Sequence, residues 1–252
     1  MAIECKATDL SAILKLRDIY RHEMHCQIIH DSLHIRPGWT TPYLLTIDGA
    51  PAGYGAVAHA GPWKDKPTIF EFFVLPTQRQ RTFSLFSMFV EACGTRAVET
   101  QSNGDVLGTL LQSLGPSVVA EAILFEDKLT TTINIPGAVV RATTPEDAER
   151  IAAKQLSADD KWVLELNGEV AGAGGILYHY NRPYGDIYMA VAEPFRRRGL
   201  GAFLVQELKR ICYEQGSIPA ARCGTTNFTS RATLQKAGFV PCGSIVTGTI
   251  RA

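Results

Sequence analysis

The chain repeats itself, and the repeat decides how many folded copies it must build. Leu45-Thr46-Ile47-Asp48-Gly49-Ala50-Pro51-Ala52-Gly53-Tyr54-Gly55 is matched by Leu164-Glu165-Leu166-Asn167-Gly168-Glu169-Val170-Ala171-Gly172-Ala173-Gly174. Both segments read as β-hairpins, because Asp-Gly and Asn-Gly suit a tight two-residue turn between apolar flanks. A second match follows in the same order: Phe72 to Phe83 falls on Ala190 to Gly201 without a gap, with Pro76 on Pro194 and Gln78 on Arg196. Repeats this far apart in sequence indicate a duplicated domain, since solenoid units run only about 20–50 residues. The restart is expected near Pro136-Gly137, giving domains 1–136 and 137–252.

Apolar periodicity and turn residues predict, for the second half, strands at 138–142, 162–166, 169–178, 184–191, 219–224 and 239–250, with helices at 145–155, 199–214 and 229–237. The first half reads similarly. It has a long helical opening (8–33), strands near 42–48, 52–59, 67–75, 96–101 and 117–125, and helices near 82–94 and 104–113.

Chemistry enters where the strand Ile187-Tyr188-Met189-Ala190-Val191 ends. Ala192-Glu193-Pro194-Phe195-Arg196-Arg197-Arg198-Gly199-Leu200-Gly201-Ala202 follows it, and then a run with helical apolar spacing. A helix start presents unpaired backbone N–H groups and the positive end of the helix dipole, which suits a phosphate. Glycines allow close backbone approach, and arginines add charge-assisted hydrogen bonds. The loop has neither the Gly-x-Gly-x-x-Gly of a dinucleotide fold nor the Gly-Lys-Ser/Thr of a P-loop.

Arg196-x-x-Gly199-x-Gly201-Ala202, followed by Asn227-x-x-Ser230 and Lys236-Ala237-Gly238-Phe239, resembles the GNAT superfamily of acyl-CoA-dependent N-acetyltransferases. The resemblance implies an α/β (α+β) chain of tandem GNAT-like domains, each a mixed, mostly antiparallel central sheet flanked by helices. It implies acetyl-CoA as co-substrate, held by the main chain of Met189, Ala190 and Val191, by the loop Arg196, Arg197, Arg198, Gly199, Leu200, Gly201 and Ala202, and by Asn227 and Ser230. Many relatives place an acidic Tyr seven residues after the Asn; here that position is Leu234.

In the first half the places of Gly199 and Gly201 are taken by Arg81 and Phe83, which removes left-handed freedom and puts a ring where backbone must approach an anion. The first copy therefore reads as degenerate and without CoA. The opposing reading makes Arg79 and Arg81 ligands of a second cofactor.

Acyl transfer to an amine requires a held thioester, a deprotonated amine and a stabilised oxyanion. The candidate bases are Asp186 and Tyr188, with Tyr178, His179 and Tyr180 as further possibilities. The alternative for Asp186 is an exposed carboxylate at a strand start. Tyr178, Tyr180, Tyr184 and Trp162 suggest an uncharged aromatic opening for a small amine or amino acid. The second half has few residues (144–161) to wall an acceptor, so Tyr20, His22, Glu23 and His25 of the first half are candidates for that wall.

Charge and cysteines exclude other classes. Lys+Arg and Asp+Glu both number 25, without the basic excess that nucleic-acid binding favours. Cys5, Cys26, Cys93, Cys212, Cys223 and Cys242 form no Cys-x-x-Cys pair, and His22, His25, Cys26, His30 and His34 scatter around a helix, so no metal is expected. No signal core or membrane-length apolar run occurs, which points to a cytoplasmic chain with no membrane partner and no signal for oligomeric state. Two other functions stay open: a non-catalytic acyl-CoA-binding sensor or scaffold, and a regulator binding another phosphate ligand.

Overall fold

The structure is a computed structural model that describes residues 2–24, 31–104, 106–157, 160–178 and 182–251. It divides into two compact units, Met1–Ala122 with Gly243–Ala252, and Ile123–Cys242. The division precedes the Pro136-Gly137 turn, and the last residues of the chain return to the first unit.

The first unit runs β1 (Ile3–Ala7), α1 (Leu10–Glu23), α2 (Asp31–His34), β2 (Thr40–Ile47), β3 (Ala50–Ala58), β4 (Thr68–Val74), α3 (Thr82–Cys93), β5 (Ala97–Gln101), α4 (Val106–Leu114) and the start of β6 (Val118–Asp127). Strands β1 to β4 are antiparallel neighbours, β4 and β5 are parallel, and Ile245–Thr249 pairs antiparallel with β5. Phe86 and Phe89 of α3 pack on Phe72 of β4, with Leu107, Leu110 and Leu111 of α4 in the same cluster. Ile13 and Leu16 of α1 cover the other face at Tyr54 and Phe73.

The second unit continues with β7 (Ala138–Ala142), α5 (Asp147–Ala152), β8 (Trp162–Leu166), β9 (Glu169–Leu177), β10 (Tyr184–Val191), α6 (Leu200–Glu214), β11 (Ile218–Gly224), α7 (Phe228–Lys236) and the start of β12 (Phe239–Thr249). Its strand order is β7-β8-β9-β10-β11, with β6 beyond β11. Strands β7 to β10 are antiparallel neighbours, and β10 and β11 are parallel. Each unit is thus a mixed, mostly antiparallel sheet between helices.

The two hairpins are built alike. Asp48 and Gly49 have φ of 49° and 82°, and Asn167 and Gly168 have 52° and 82°. Positive φ at both central residues matches the right-handed twist of the flanking strands, which is why Asp-Gly and Asn-Gly mark these turns.

Helix α6 dominates the second core. Leu200, Leu204, Leu208 and Ile211 pack on Leu164, Ala171, Ile187 and Ala221. Among the described residues, the opposite face of that sheet carries short α5, through Ile151 on Val163, Val170 and Ala173. Buried Lys209 pins α6 in place. Its ammonium lies 2.6 Å from Asp127 and donates to the carbonyls of Leu129 (2.9 Å) and Ala237 (2.6 Å). Gln206 holds the incoming chain by bonding both the N–H and the C=O of Ile133.

The structure departs from the expected elements in three places. Residues 3–7 form edge strand β1, too short for its period to show. The opening helix α1 ends at Glu23. The helix expected at 145–155 is only Asp147–Ala152, because Asp147 is drawn into ion pairs with Arg141 and Arg150 and accepts from the Thr144 N–H.

Candidate active site

Strand β10 has an unequal pair of neighbours. It pairs with β9 from Asp186↔Leu177 to Val191↔Gly172, but with β11 only from Tyr184↔Ile218 to Asp186↔Ala220. Both strands run on, to Val191 and Gly224, so the sheet opens into a V with Asp186 at its vertex.

Alternation divides the V between two faces. On the α6 side lie Ile187, Met189 and Val191, with Ala221 and Cys223 on the other arm. On the α5 side lie Asp186, Tyr188 and Ala190, facing Arg222. Exposure rises along that arm, from buried Asp186 through half-buried Tyr188 to exposed Ala190. The ring of Tyr188 lies over Gly175, where an added Cβ would come within 2.6 Å of its hydroxyl.

The vertex carboxylate is buried, not exposed at a strand start: Asp186 is 5% accessible. Its Oδ2 lies 3.4 Å from Arg222 Nε, and its Oδ1 has no hydrogen-bond partner among the described residues. Burial disfavours the charged form and pushes the Asp186 carboxyl up to about 6, against the opposing pull of Arg222.

At the open end, Arg196 Nε donates to the Val191 carbonyl (3.0 Å), Arg197 has φ of 61° and Gly199 has φ of 79°. These conformations turn the chain into α6, whose N-terminus has no side-chain cap. Its first N–H groups are left for solvent or an anion. Arg196, Arg197 and Arg198 are exposed there, and Arg198 lies over the Phe195 ring.

Gly201 serves packing as well. An added Cβ would lie 3.1 Å from Thr233 Cγ2 and 3.3 Å from Met189 Cε, so the glycine lets α6, α7 and β10 converge. Asn227 caps α7, its Oδ1 accepting from the Ser230 N–H at 3.0 Å. Leu234 is buried in the core, so that position offers no acid. The sequence reading missed two cations. Lys236, ending α7, brings Nζ to 3.6 Å from a Cβ placed on Gly199, and Arg222 reaches Asp186 at the vertex. Lys236 opens the Lys236-Ala237-Gly238-Phe239 run noted in the sequence but was not assigned to the cofactor there, and Arg222, in an otherwise ordinary run, left no pattern to find.

The model of the Acetyltransferase (GNAT) family matches residues 131–239. The second half of the chain is thus similar to the GNAT acetyltransferase domain over those residues. No curated protein matches the chain in sequence. Solved structures extend the fold to both units. An acetyltransferase of the GNAT family from Colwellia psychrerythraea is 14% identical with a TM-score of 0.79, covering 98% of this chain and 100% of its own. A tandem GNAT protein from the clavulanic acid biosynthesis pathway is 13% identical with a TM-score of 0.66, covering 99% and 98%. A GCN5-related N-acetyltransferase from Sphaerobacter thermophilus is 15% identical with a TM-score of 0.59, covering 99% and 96%.

The first unit keeps the GNAT fork but builds its loop differently. Strands β4 and β5 pair only at Thr68↔Ala97 and Ile69↔Val98 before parting. Leu75 and Ala192 are equivalent, since each donates its N–H to the matching carbonyl, of Ala52 and Ala171. From there the first unit reaches the residue before its helix, Arg81, one step sooner than the second reaches Gly199. The gapless match of the sequences therefore holds at the helix start and slips by one on the strand. Pro76–Arg81 is a 3-10 turn, and Arg81 has φ of −106°. Arg81 bonds Gln78 and Arg79 pairs with Glu23. Phe83 is exposed and fills no cleft.

The aromatic opening does not exist as one surface. Trp162 and Tyr178 lie on the α6 side, the latter bonded to Gln215 and close to Gly185, whereas Tyr184 lies on the side of Asp186. Tyr20 and Glu23 line clefts of the first unit itself, and His22 bonds the Asp18 carbonyl. His25, Cys26, His30, His179 and Tyr180 lie outside the described residues. Among the described residues no three His, Cys, Asp or Glu side chains converge on a metal position, and no helix is long and apolar enough to cross a membrane.

Proposed function

We propose that the second unit transfers the acetyl group of acetyl-CoA to the primary amine of a small molecule or amino acid, by direct attack while both substrates are bound. The observation that carries this reading is the opening of β10 from β11 at Asp186, directly ahead of the uncapped N-terminus of α6. The main chain of Met189, Ala190 and Val191, paired to β9 but no longer to β11, would bond a pantetheine arm along its open edge, up to the Val191 carbonyl that Arg196 holds. The N-terminus of α6, with Arg196, Arg197, Arg198 and Lys236 around it, suits the pyrophosphate.

Asp186 is the base. Its raised pKa brings it nearer that of an amine while leaving it ionised at neutral pH. The amine nitrogen forms the new bond to the acyl carbon, the carbon–sulfur bond breaks with its electron pair on sulfur, and the amine proton passes to Asp186. Tyr188, beside it on the same face, lines the path of the acceptor.

A non-catalytic acyl-CoA sensor is favoured by one observation, the buried Leu234 where relatives carry a Tyr acid. Calorimetry with CoA and thiol release with a panel of amines separate the two. Gly201→Glu, placing bulk and negative charge against the loop, is expected to abolish CoA binding, with a thermal melt confirming the fold. CoA binding without amine-dependent thiol release supports the sensor, and unchanged CoA affinity in folded Gly201→Glu removes the loop assignment.

A further inference from the structure

A stripe along helix α6 leads from its middle back to the cofactor loop, and a separate segment of chain lies on that stripe. Gly199, Gln206 and Lys209 are spaced by seven and three residues, which puts them on one face of the helix. Residues 129–135, between β6 and β7, run along this face as a strap and meet all three. The Leu129 carbonyl accepts from Lys209 Nζ at 2.9 Å, and the Leu129 N–H donates to the Gly238 carbonyl at 3.1 Å. A side chain at Gly238 would run into the Leu129 carbonyl, so that glycine makes room for the strap. Gln206 bonds Ile133 twice, its Oε1 accepting from the N–H at 2.6 Å and its Nε2 donating to the carbonyl at 3.1 Å. Ile135 ends the run with its Cδ1 3.6 Å from a Cβ placed on Gly199. Its carbonyl accepts from the Ala138 N–H at 3.0 Å, which turns the chain into β7.

The position of these holds gives the strap a consequence for the loop. Midway between the first two, the Thr131 hydroxyl is buried without a partner among the described residues. The register of the strap on α6 therefore rests on Lys209 and Gln206, and Gln206 is the hold nearer the loop. Two residues beyond it, Ile135 packs against the one turn that needs a left-handed conformation, at Gly199 with φ of 79°. That turn aims the first N–H groups of α6 outward, and its carbonyl accepts from the Phe203 N–H at 3.1 Å. A slip of the strap at Gln206 would take Ile135 away from Gly199 and free a glycine to adopt other conformations.

We propose that the strap is part of the cofactor site, with Gln206 and Ile135 as positioning residues that hold the Gly199 turn ready for the pyrophosphate. This rests on the assignment of the loop to CoA and extends the site to a segment that carries no cofactor motif. Neither residue acts by touching CoA. They raise the fraction of chains whose loop is already formed, and apparent affinity follows that fraction.

The test uses the full chain and calorimetric titration with CoA. Ile135→Ala and Gln206→Leu are each expected to weaken CoA by roughly 3- to 10-fold, as when the competent fraction falls to between about a third and a tenth. KM for acetyl-CoA should rise by the same factor while kcat holds. Ile135→Val, which keeps the apolar contact, should restore most of the affinity. Asn134→Ala, at the exposed residue between Ile133 and Ile135, should change nothing. Hydrogen exchange of the CoA-free protein adds a readout that general destabilisation does not mimic. The Phe203 amide should exchange faster in Ile135→Ala and Gln206→Leu, with the amides of β8 and β9 unchanged.

Variants that melt lower yet bind CoA as tightly as the wild type overturn the inference and leave the acetyltransferase reading intact. Equal losses of affinity in Asn134→Ala and Ile135→Ala overturn it too. If Gln206→Leu does not fold, Ile135→Ala and Ile135→Val decide. A wild type that binds no CoA removes the loop assignment, and this inference with it.

Discussion

Each unit carries a buried carboxylate beside the fork of its sheet, and the two are treated in opposite ways. Glu71, just past the last β4–β5 pair, is saturated. Arg17 donates to both of its oxygens at 3.1 and 3.2 Å, His34 Nε2 lies 3.0 Å from Oε2, and the Tyr54 hydroxyl donates to Oε2 at 3.0 Å. Burial alone would raise its pKa, but the Arg17 and His34 partners hold it well below the usual carboxylate range. Asp186 has one long ion pair and an unbonded oxygen, and burial prevails. Partners, not burial, distinguish a structural carboxylate from one poised to take a proton.

The packing follows the same division. In the first unit α1 lies over the fork, supplying Arg17, and Tyr20 and Met24 line the remaining space with Phe70 and Glu71. In the second unit the described residues place α5 on the corresponding face, and Tyr188 and Ala190 stay accessible. One fork is filled by its own chain, and the other keeps Tyr188 and Ala190 accessible.

The largest effect expected from this contrast is on turnover. Asp186→Asn should lower kcat roughly 100- to 10,000-fold, the range of a general base, with CoA affinity intact. In the wild type kcat/KM should fall as pH drops below about 6, because protonated Asp186 accepts no proton. That limb should vanish in Asp186→Asn. A retained limb would place the base elsewhere. Because the fold disfavours ionised Asp186, the same variant should melt no lower than wild type at pH 8.

Glu71→Gln should do the reverse. Removing one partner of a buried charge cluster strands Arg17, at a cost of about 3–5 kcal/mol to the first unit, read by denaturant unfolding. With its folded pKa depressed, Glu71 contributes stability that is fully present above its unfolded value, about 4.3, and is lost as pH falls toward the folded one. The destabilisation by Glu71→Gln should therefore shrink in acid. Equal stability losses from Asp186→Asn and Glu71→Gln would break the comparison.

Much of this was legible in the chain because it is local. Asp48-Gly49 and Asn167-Gly168 fix their hairpins through φ, and the strand periods place β10 and α6 to within a residue. The state of Asp186 was not legible, because its burial depends on β9 and β11 closing around it from distant sequence. Nor was the Arg222 pairing, which is a matter of parallel register. The aromatic opening failed for a related reason: Trp162, Tyr178 and Tyr184 share a neighbourhood in sequence pattern, but register puts them on different faces.

A smaller effect is expected at Lys236. Its ammonium stands beside Gly199 on the exposed rim of the loop, so Lys236→Ala should weaken CoA by roughly 2- to 5-fold, the scale of an exposed charge at a helix end, and less at high salt. Calorimetry at two salt concentrations reads it. No change at either would remove Lys236 from the pyrophosphate site.

The smallest effect is the most discriminating for the first unit. Its sequence suggests that Phe83 blocks a cofactor, in which case Phe83→Ala should open a second site. The structure gives a different cause. Phe83 is 55% exposed, while the loop before it is one residue shorter and wound into a 3-10 turn. There the N–H of Thr82, at the helix start, already bonds the Arg79 carbonyl. Deleting an exposed ring restores neither the missing residue nor the left-handed turn that Gly199 provides. Phe83→Ala should therefore bind one CoA per chain, the same number expected of the wild type, with stability changed by no more than about 0.5 kcal/mol. Titration showing two sites in Phe83→Ala would return the cause to the ring, and two sites in the wild type would show that both forks accept the cofactor.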